Sequence, residues 1–221
     1  MKLIPPLLLS LLWSSNAFAF EKAELTSGEI STLNMGKAII SVWKDTDHVD
    51  TPSVSKGGID IMAPASMIKD MMLNCERAHE VSTDIRECKI LETSKDMRWD
   101  IRKQKFAVSP FLPKFDTTFR TEYSGNALEG FVMEISRISG DLKVQDGRWD
   151  IIPLSPTSSR VIYQAAIEPS LPIPDKIIRK QVGIGIPQIL KNLRDLVEDE
   201  YADSQKDRSL ATSSMPEGTA F

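Results

Sequence analysis

Between residues 115 and 123 the chain alternates without a break. Phe115, Thr117, Phe119, Thr121 and Tyr123 fall in one row and Asp116, Thr118, Arg120 and Glu122 in the other. A two-residue period puts each row on its own face of a β-strand. The same criterion, with β-branched and aromatic content, predicts strands at 57–62, 88–92, 98–108, 130–138, 142–154 and 160–168, and an extra edge strand at 37–43. At 98–108, Trp99 and Ile101 share one face and Asp100 and Arg102 the other. At 160–168, Val161, Tyr163, Ala165 and Ile167 share a face. Asp146-Gly147 predicts a bulge within 142–154. Breaks fall at 109–113, where prolines flank Phe111-Leu112, at Ser139-Gly140-Asp141, and at 155–159.

The period changes to the helical one in two places. After Ala63-Pro64, Met67, Ile68, Met71 and Met72 are spaced as one apolar face of a helix at 66–73, and 74–81 reads as a second short helix. After Pro172 and Pro174, with Asp175 as the expected N-cap, Ile177, Ile178, Val182, Ile186, Ile189, Leu190, Leu193, Leu196 and Val197 form a long stripe. Gly183, Gly185 and Pro187 interrupt it, and the proline predicts a kink. Residues 20–35 read as an arm or short helix, and 202–221, rich in Ser, Asp, Gly, Pro and Thr, as disordered. Consecutive strands joined by short turns predict an antiparallel meander, hence an α+β fold and not a doubly wound parallel sheet.

The N-terminus adds a compartment. Lys2, an apolar run of about 11 residues and Ala17-Phe18-Ala19 make a secretory leader with a cut after Ala19, and the run is too short to span a bilayer. The expected organisation is a leader at 1–19, an N-terminal arm at 20–56, one domain at 57–201 and a tail at 202–221. A net charge of −4 gives no support to nucleic-acid binding. Cys75 and Cys88 are the two cysteines; in an exported chain they point to a disulfide, with two buried thiols as the alternative. They make a poor zinc set without a neighbouring histidine pair. His48 and His79 are the two histidines and neither has a partner at ligand or triad spacing. No nucleophile elbow, phosphate loop or zincin motif is present, so no catalytic residue, metal or cofactor is assigned.

Three segments carry a family likeness: Ile59-Asp60-Ile61-Met62-Ala63-Pro64, Gly147-Arg148-Trp149-Asp150-Ile151-Ile152-Pro153-Leu154, and Pro172-Ile173-Pro174. In this order, between a first strand and a long last helix, the chain resembles the START / polyketide cyclase-like (SRPBCC) superfamily over about residues 57–198. Asn74-Cys75-Glu76-Arg77-Ala78 and Arg86-Glu87-Cys88 look like an exported subgroup related to coenzyme Q-binding domains. The chain departs from that pattern at Lys69, where an aromatic is common, and at His79, where proline is common. The resemblance implies a helix-grip fold, a curved sheet wrapped around a long C-terminal helix with an apolar cavity. Its ligand would be a hydrophobic small molecule or lipid, such as an isoprenoid quinone, with transient membrane contact.

On that basis Trp99, Phe115, Phe119, Trp149, Tyr163, Ile186 and Leu190 are the expected cavity lining. Asp100, Arg102, Arg120 and Glu122 would form an inward polar cluster if their faces coincide, or a solvated outer face. The entrance is expected near 183–187 and 109–113. Two other functions remain open at this level. One is a cyclase or aromatase using the same cavity. The other is a periplasmic interaction module using residues 20–56 as a partner-binding strand.

Overall fold

The computed structural model describes residues 20–43, 52–107 and 113–213. The expected leader at 1–19, His48, the expected break at 109–112 and the last residues of the expected tail lie outside these. The elements run α1 (Ser27–Asn34), β1 (Ile39–Trp43), β2 (Ser53–Ile61), α2 (Ala65–Leu73), a 3-10 turn at Cys75–Arg77, and α3 (Ala78–Val81). They continue with β3 (Ile85–Thr93), β4 (Trp99–Phe106), β5 (Phe115–Asn126), β6 (Gly130–Gly140), β7 (Leu142–Ser155), β8 (Ser158–Pro169) and α4 (Asp175–Ser213). The eight strands form one sheet in the order β1-β2-β8-β7-β6-β5-β4-β3. Every neighbouring pair is antiparallel. Strands β3 to β8 are the expected meander. Strand β2 joins it through β8, and β1 takes the edge.

The inner face is covered by α2 and α4. Ile59 and Ile61 of β2, Met133, Trp149 and Ile151, and Val161 pack with Ile68 and Met71 of α2 and with Leu190, Leu193 and Val197 of α4. Gly57 sets how close α4 comes, since a Cβ there would meet Ile186 Cγ2 at 2.7 Å and Leu190 Cδ1 at 3.0 Å. The opposite face carries a smaller cluster of Leu33, Ile39 and Ile162. Helix α1 supplies Leu33 to it and is closed by a Thr26–Glu29 capping box.

Apart from Gly147 and Ile173, which border a cavity, the family segments are scaffold. Asp60 binds Arg160 through Nε at 2.7 Å and Nη2 at 2.8 Å, and Arg160 also donates to Asn34 Oδ1. Met62 N donates to Glu198 Oε1 at 2.8 Å, tying the end of β2 to α4. Lys69 stands over the Phe131 ring at 4.8 Å, so a cation–π contact joins α2 to the sheet where an aromatic was expected. Cys75 and Cys88 are bonded, with Cα atoms 5.4 Å apart, fastening the turn after α2 to edge strand β3.

Three sequence expectations are corrected. The strand at 142–154 is not bulged at Asp146-Gly147, which pair in register with Ala166 and Ala165; the shifts lie between Leu142 and Val144 and between Pro153 and Ser155. Glycine at 147 makes room instead, because a Cβ would stand 3.2 Å from Gln164 O. Helix α4 is entered one residue before Asp175, as the Pro174 carbonyl accepts from the Ile177 and Ile178 amides. It runs through Pro187 and on to Ser213, so the chain from Ala202 to there is helical, not disordered. Tyr201 still packs on the core, and beyond it Ser204 and Ser209 return their hydroxyls to backbone carbonyls one turn back. Among the described residues no helix is long and apolar enough to cross a membrane.

Candidate functional site

The first half of α4 does not close on the sheet. A cavity of about 240 Å³ lies between them. Its roof is Ile178, Val182, Gly185, Ile186 and Ile189 of α4. Its floor comes from Leu142, Gln145 and Gly147 of β7 and from Tyr163, Ala165, Ile167 and Pro169 of β8. Phe106, Phe115 and Ile135 make the far wall, and Ser82 and Asp84 stand at one side. The floor is inward by strand period, since Tyr163, Ala165 and Ile167 are alternate residues of β8. The roof is inward by helical spacing. Most of the surface is apolar, as in sites that hold hydrophobic ligands.

A smaller polar cleft of about 110 Å³ adjoins it. The two share Ser82, Asp84, Gln181, Gly185 and Ile189, and the cleft adds Thr83, Gln188 and Asn192. The turn between α3 and β3 therefore makes a polar mouth against α4. Asn192 Nδ2 donates to Val81 O at 3.2 Å and Gln188 Nε2 to Asn192 Oδ1 at 2.6 Å, which holds this turn to the helix. Burial pushes the Asp84 carboxyl up, with Arg86 acting in the opposite sense. Among the described residues no hydrogen-bond donor reaches that carboxyl. Tyr163 is in the same position within the cavity: burial pushes its hydroxyl up to about 12. Gln145 accepts from the Thr117 hydroxyl.

The structure separates the residues that the sequence grouped. Phe115, Tyr163 and Ile186 line the cavity. Trp149 and Leu190 belong to the packed core, Trp149 against Tyr163 with ring centroids 4.2 Å apart. Phe119 is buried but does not border the cavity. Trp99 lies on the outer face, where Arg120 stacks over its ring at 4.3 Å.

The four charged candidates do not share a face. Asp100 pairs in register with Thr121, and Arg102 with Phe119, so the first two turn inward; Arg120 and Glu122 stand opposite Ile101 and Trp99 on the other face. Arg120 and Glu122 form a surface pair at 2.7 Å. Asp100 and Arg102 are 4 % and 6 % exposed. Arg102 Nε and Nη2 reach Asp100 at 2.9 and 2.8 Å, and Tyr123 OH donates to Asp100 at 2.5 Å. Arg102 also donates to the Met72 and Leu73 carbonyls. It thereby neutralises the C-terminal end of α2, where free carbonyls and the helix dipole favour a cation. The inward charges are a satisfied structural network and do not border the cavity.

Asp84, Ser82, Gln145 and Gln181 escaped the sequence reading. Ile178, Val182 and Ile189 had been visible only as members of a stripe that could not be divided into core and cavity. No local signal marks Asp84, which reaches the mouth because the α3–β3 turn is placed by contacts distant in sequence.

Fold and site together define a helix-grip protein with an internal apolar cavity. Residues 61–194 match the polyketide cyclase / dehydrase and lipid transport family, and the chain belongs to it. Its fold is similar to that of a START superfamily protein from Mycobacterium smegmatis (20% identity, 66% of this chain and 97% of that one, TM-score 0.58). It is also similar to a STAR-related lipid transfer protein from Xanthomonas axonopodis (14% identity, 72% and 98%, TM-score 0.60). A third likeness is to human STARD10 (15% identity, 80% and 78%, TM-score 0.62). At these identities the likeness is one of fold. No curated protein matches the sequence.

Proposed function

We propose that the protein is an exported carrier that binds a hydrophobic small molecule, a lipid or an isoprenoid quinone-like compound, in the cavity beneath the first half of α4. The carrying observation is the open space itself. A helix whose Leu190, Leu193 and Val197 are fully buried leaves about 240 Å³ of apolar-walled volume beneath its earlier residues. A void in a core loses contacts on one side and is disfavoured unless something fills it. Export is supported by the leader pattern and by the Cys75–Cys88 bond, which suits an oxidising compartment. Carriage is favoured over catalysis because, among the described residues, the ionisable side chains at the cavity are Asp84, Asp146 and Tyr163, which do not form an acid–base pair.

The test is mass spectrometry of organic extracts from the purified protein, compared with a blank from a cavity-plugged variant, Gly185→Phe. A stoichiometric lipid or quinone present only in the wild type establishes the reading and names the ligand class. Identical extracts, together with no uptake of added lipids or quinones, defeat it.

A further inference from the structure

We propose that the cavity mouth selects by charge: it admits hydrophobic molecules with a neutral polar end and rejects those ending in a carboxylate or phosphate, with Asp84 as the discriminating residue. This rests on the carrier reading above and names the ligand class for that site.

Three observations carry it. First, no Lys, Arg or His lines either the cavity or the adjoining cleft among the described residues. An anionic headgroup entering there would lose water and find no counter-ion. Second, Asp84 borders both spaces, so a ligand with its apolar body in the cavity and its polar end in the cleft passes this carboxyl. Third, the other polar groups at the mouth are uncharged: Ser82, Thr83, Gln181, Gln188 and Asn192. These hydroxyls and carboxamides suit an alcohol or carbonyl oxygen, while a like charge beside Asp84 is repelled. Arg86, on exposed strand β3, is the cation that acts on Asp84, and it does not line either space. Specificity of this kind comes from a repulsive element built against the wrong ligand. The inward ion pair of Asp100 and Arg102 supplies no anion site either, since each partner is already bonded.

The experiment uses two probes with the same chain and different ends, dodecanol and dodecanoate. Each competes against the neutral fluorophore N-phenyl-1-naphthylamine bound to the purified protein, at a pH where the carboxylate is ionised. In the wild type dodecanol displaces the fluorophore at a concentration roughly tenfold lower than dodecanoate does, or better. Asp84→Asn narrows the gap to about threefold or less by strengthening dodecanoate. Gln181→Arg, which adds a cation at the same mouth, reverses the preference. Equal competition in the wild type overturns charge selection and leaves the carrier reading standing. So does a gap that neither variant changes. Failure of the wild type to take up the fluorophore, or of both probes to displace it, overturns both readings.

Discussion

The two halves of α4 share one apolar stripe and meet the sheet in opposite ways. From Leu190 onward, Leu190, Leu193 and Val197 are at most 1 % exposed and interlock with α2, β2 and Trp149. Before it, Ile178, Val182 and Ile189 look across a space of about 240 Å³ at Tyr163, Ala165 and Ile167. The side chains are of one kind, so hydrophobicity does not distinguish the halves. What differs is the cover. The later half has α2 filling the space beside it, and Gly57 lets the helix settle onto β2 at Leu190, with Ile186 at the boundary bordering both core and cavity. The earlier half has only the short α3 and its turn beside it, which leave a cleft against Gln181, Gly185 and Gln188, and it carries Gly183 and Gly185, which contribute no volume. One stripe thus becomes a core at one end and a cavity roof at the other.

Six substitutions would break or sharpen this contrast. The largest effect is expected at the packed end, where Trp149→Ala should cost about 3–5 kcal/mol by denaturant unfolding, as for a large buried side chain. At the cavity end, half-buried Ile178→Ala should cost under about 1 kcal/mol in the same measurement while weakening ligand uptake. Similar losses at the two positions would erase the distinction. Replacing Arg102 by Ala should cost about 3–5 kcal/mol, because it strands Asp100 as a buried charge and bares the end of α2. Intact stability there would show that the inward pair is no structural network.

Gly185→Phe comes next. A Cβ at 185 meets nothing within 4 Å and the residue borders the cavity, so the new side chain starts in open space. Uptake of the hydrophobic probe should fall at least roughly tenfold with the melting temperature unchanged or raised, since glycine within a helix costs up to about 1 kcal/mol. Gly183→Ala, equally free of contact, should give the helix gain and leave uptake alone. Retained uptake in Gly185→Phe would move the binding site elsewhere.

The smallest effect is expected at Asp84. Burial raises its pKa, so the folded state favours the neutral acid. Its carboxylate therefore costs stability, and this cost grows as pH rises from the unfolded value through the folded one. Asp84→Asn should raise the melting temperature by roughly a degree or two at neutral pH, and the gain should vanish in acid. A gain independent of pH would remove the charge from the explanation.

The sequence by itself determined the elements. Period two marked β4 to β8 and period 3.6 marked α2 and α4, because burial of one face imposes those spacings whatever the partner. It also singled out Cys75 and Cys88 through their number and the expected compartment. Only the tertiary structure decided which apolar residues became core. Leu190 and Ile178 are indistinguishable in the stripe, and the difference lies in what stands opposite: Gly57 and the packed core for one, open space for the other. Register decided the charges in the same way: Asp100 and Arg102 alternate as cleanly as Arg120 and Glu122, yet pairing of β4 with β5 turns one pair inward and the other to solvent. The end of α2 above Arg102 makes the inward choice tolerable. The mouth was the least legible part. Asp84 and Gln181 lie on elements far apart in the chain and become neighbours only when α4 folds back across the sheet, a proximity that no local pattern encodes.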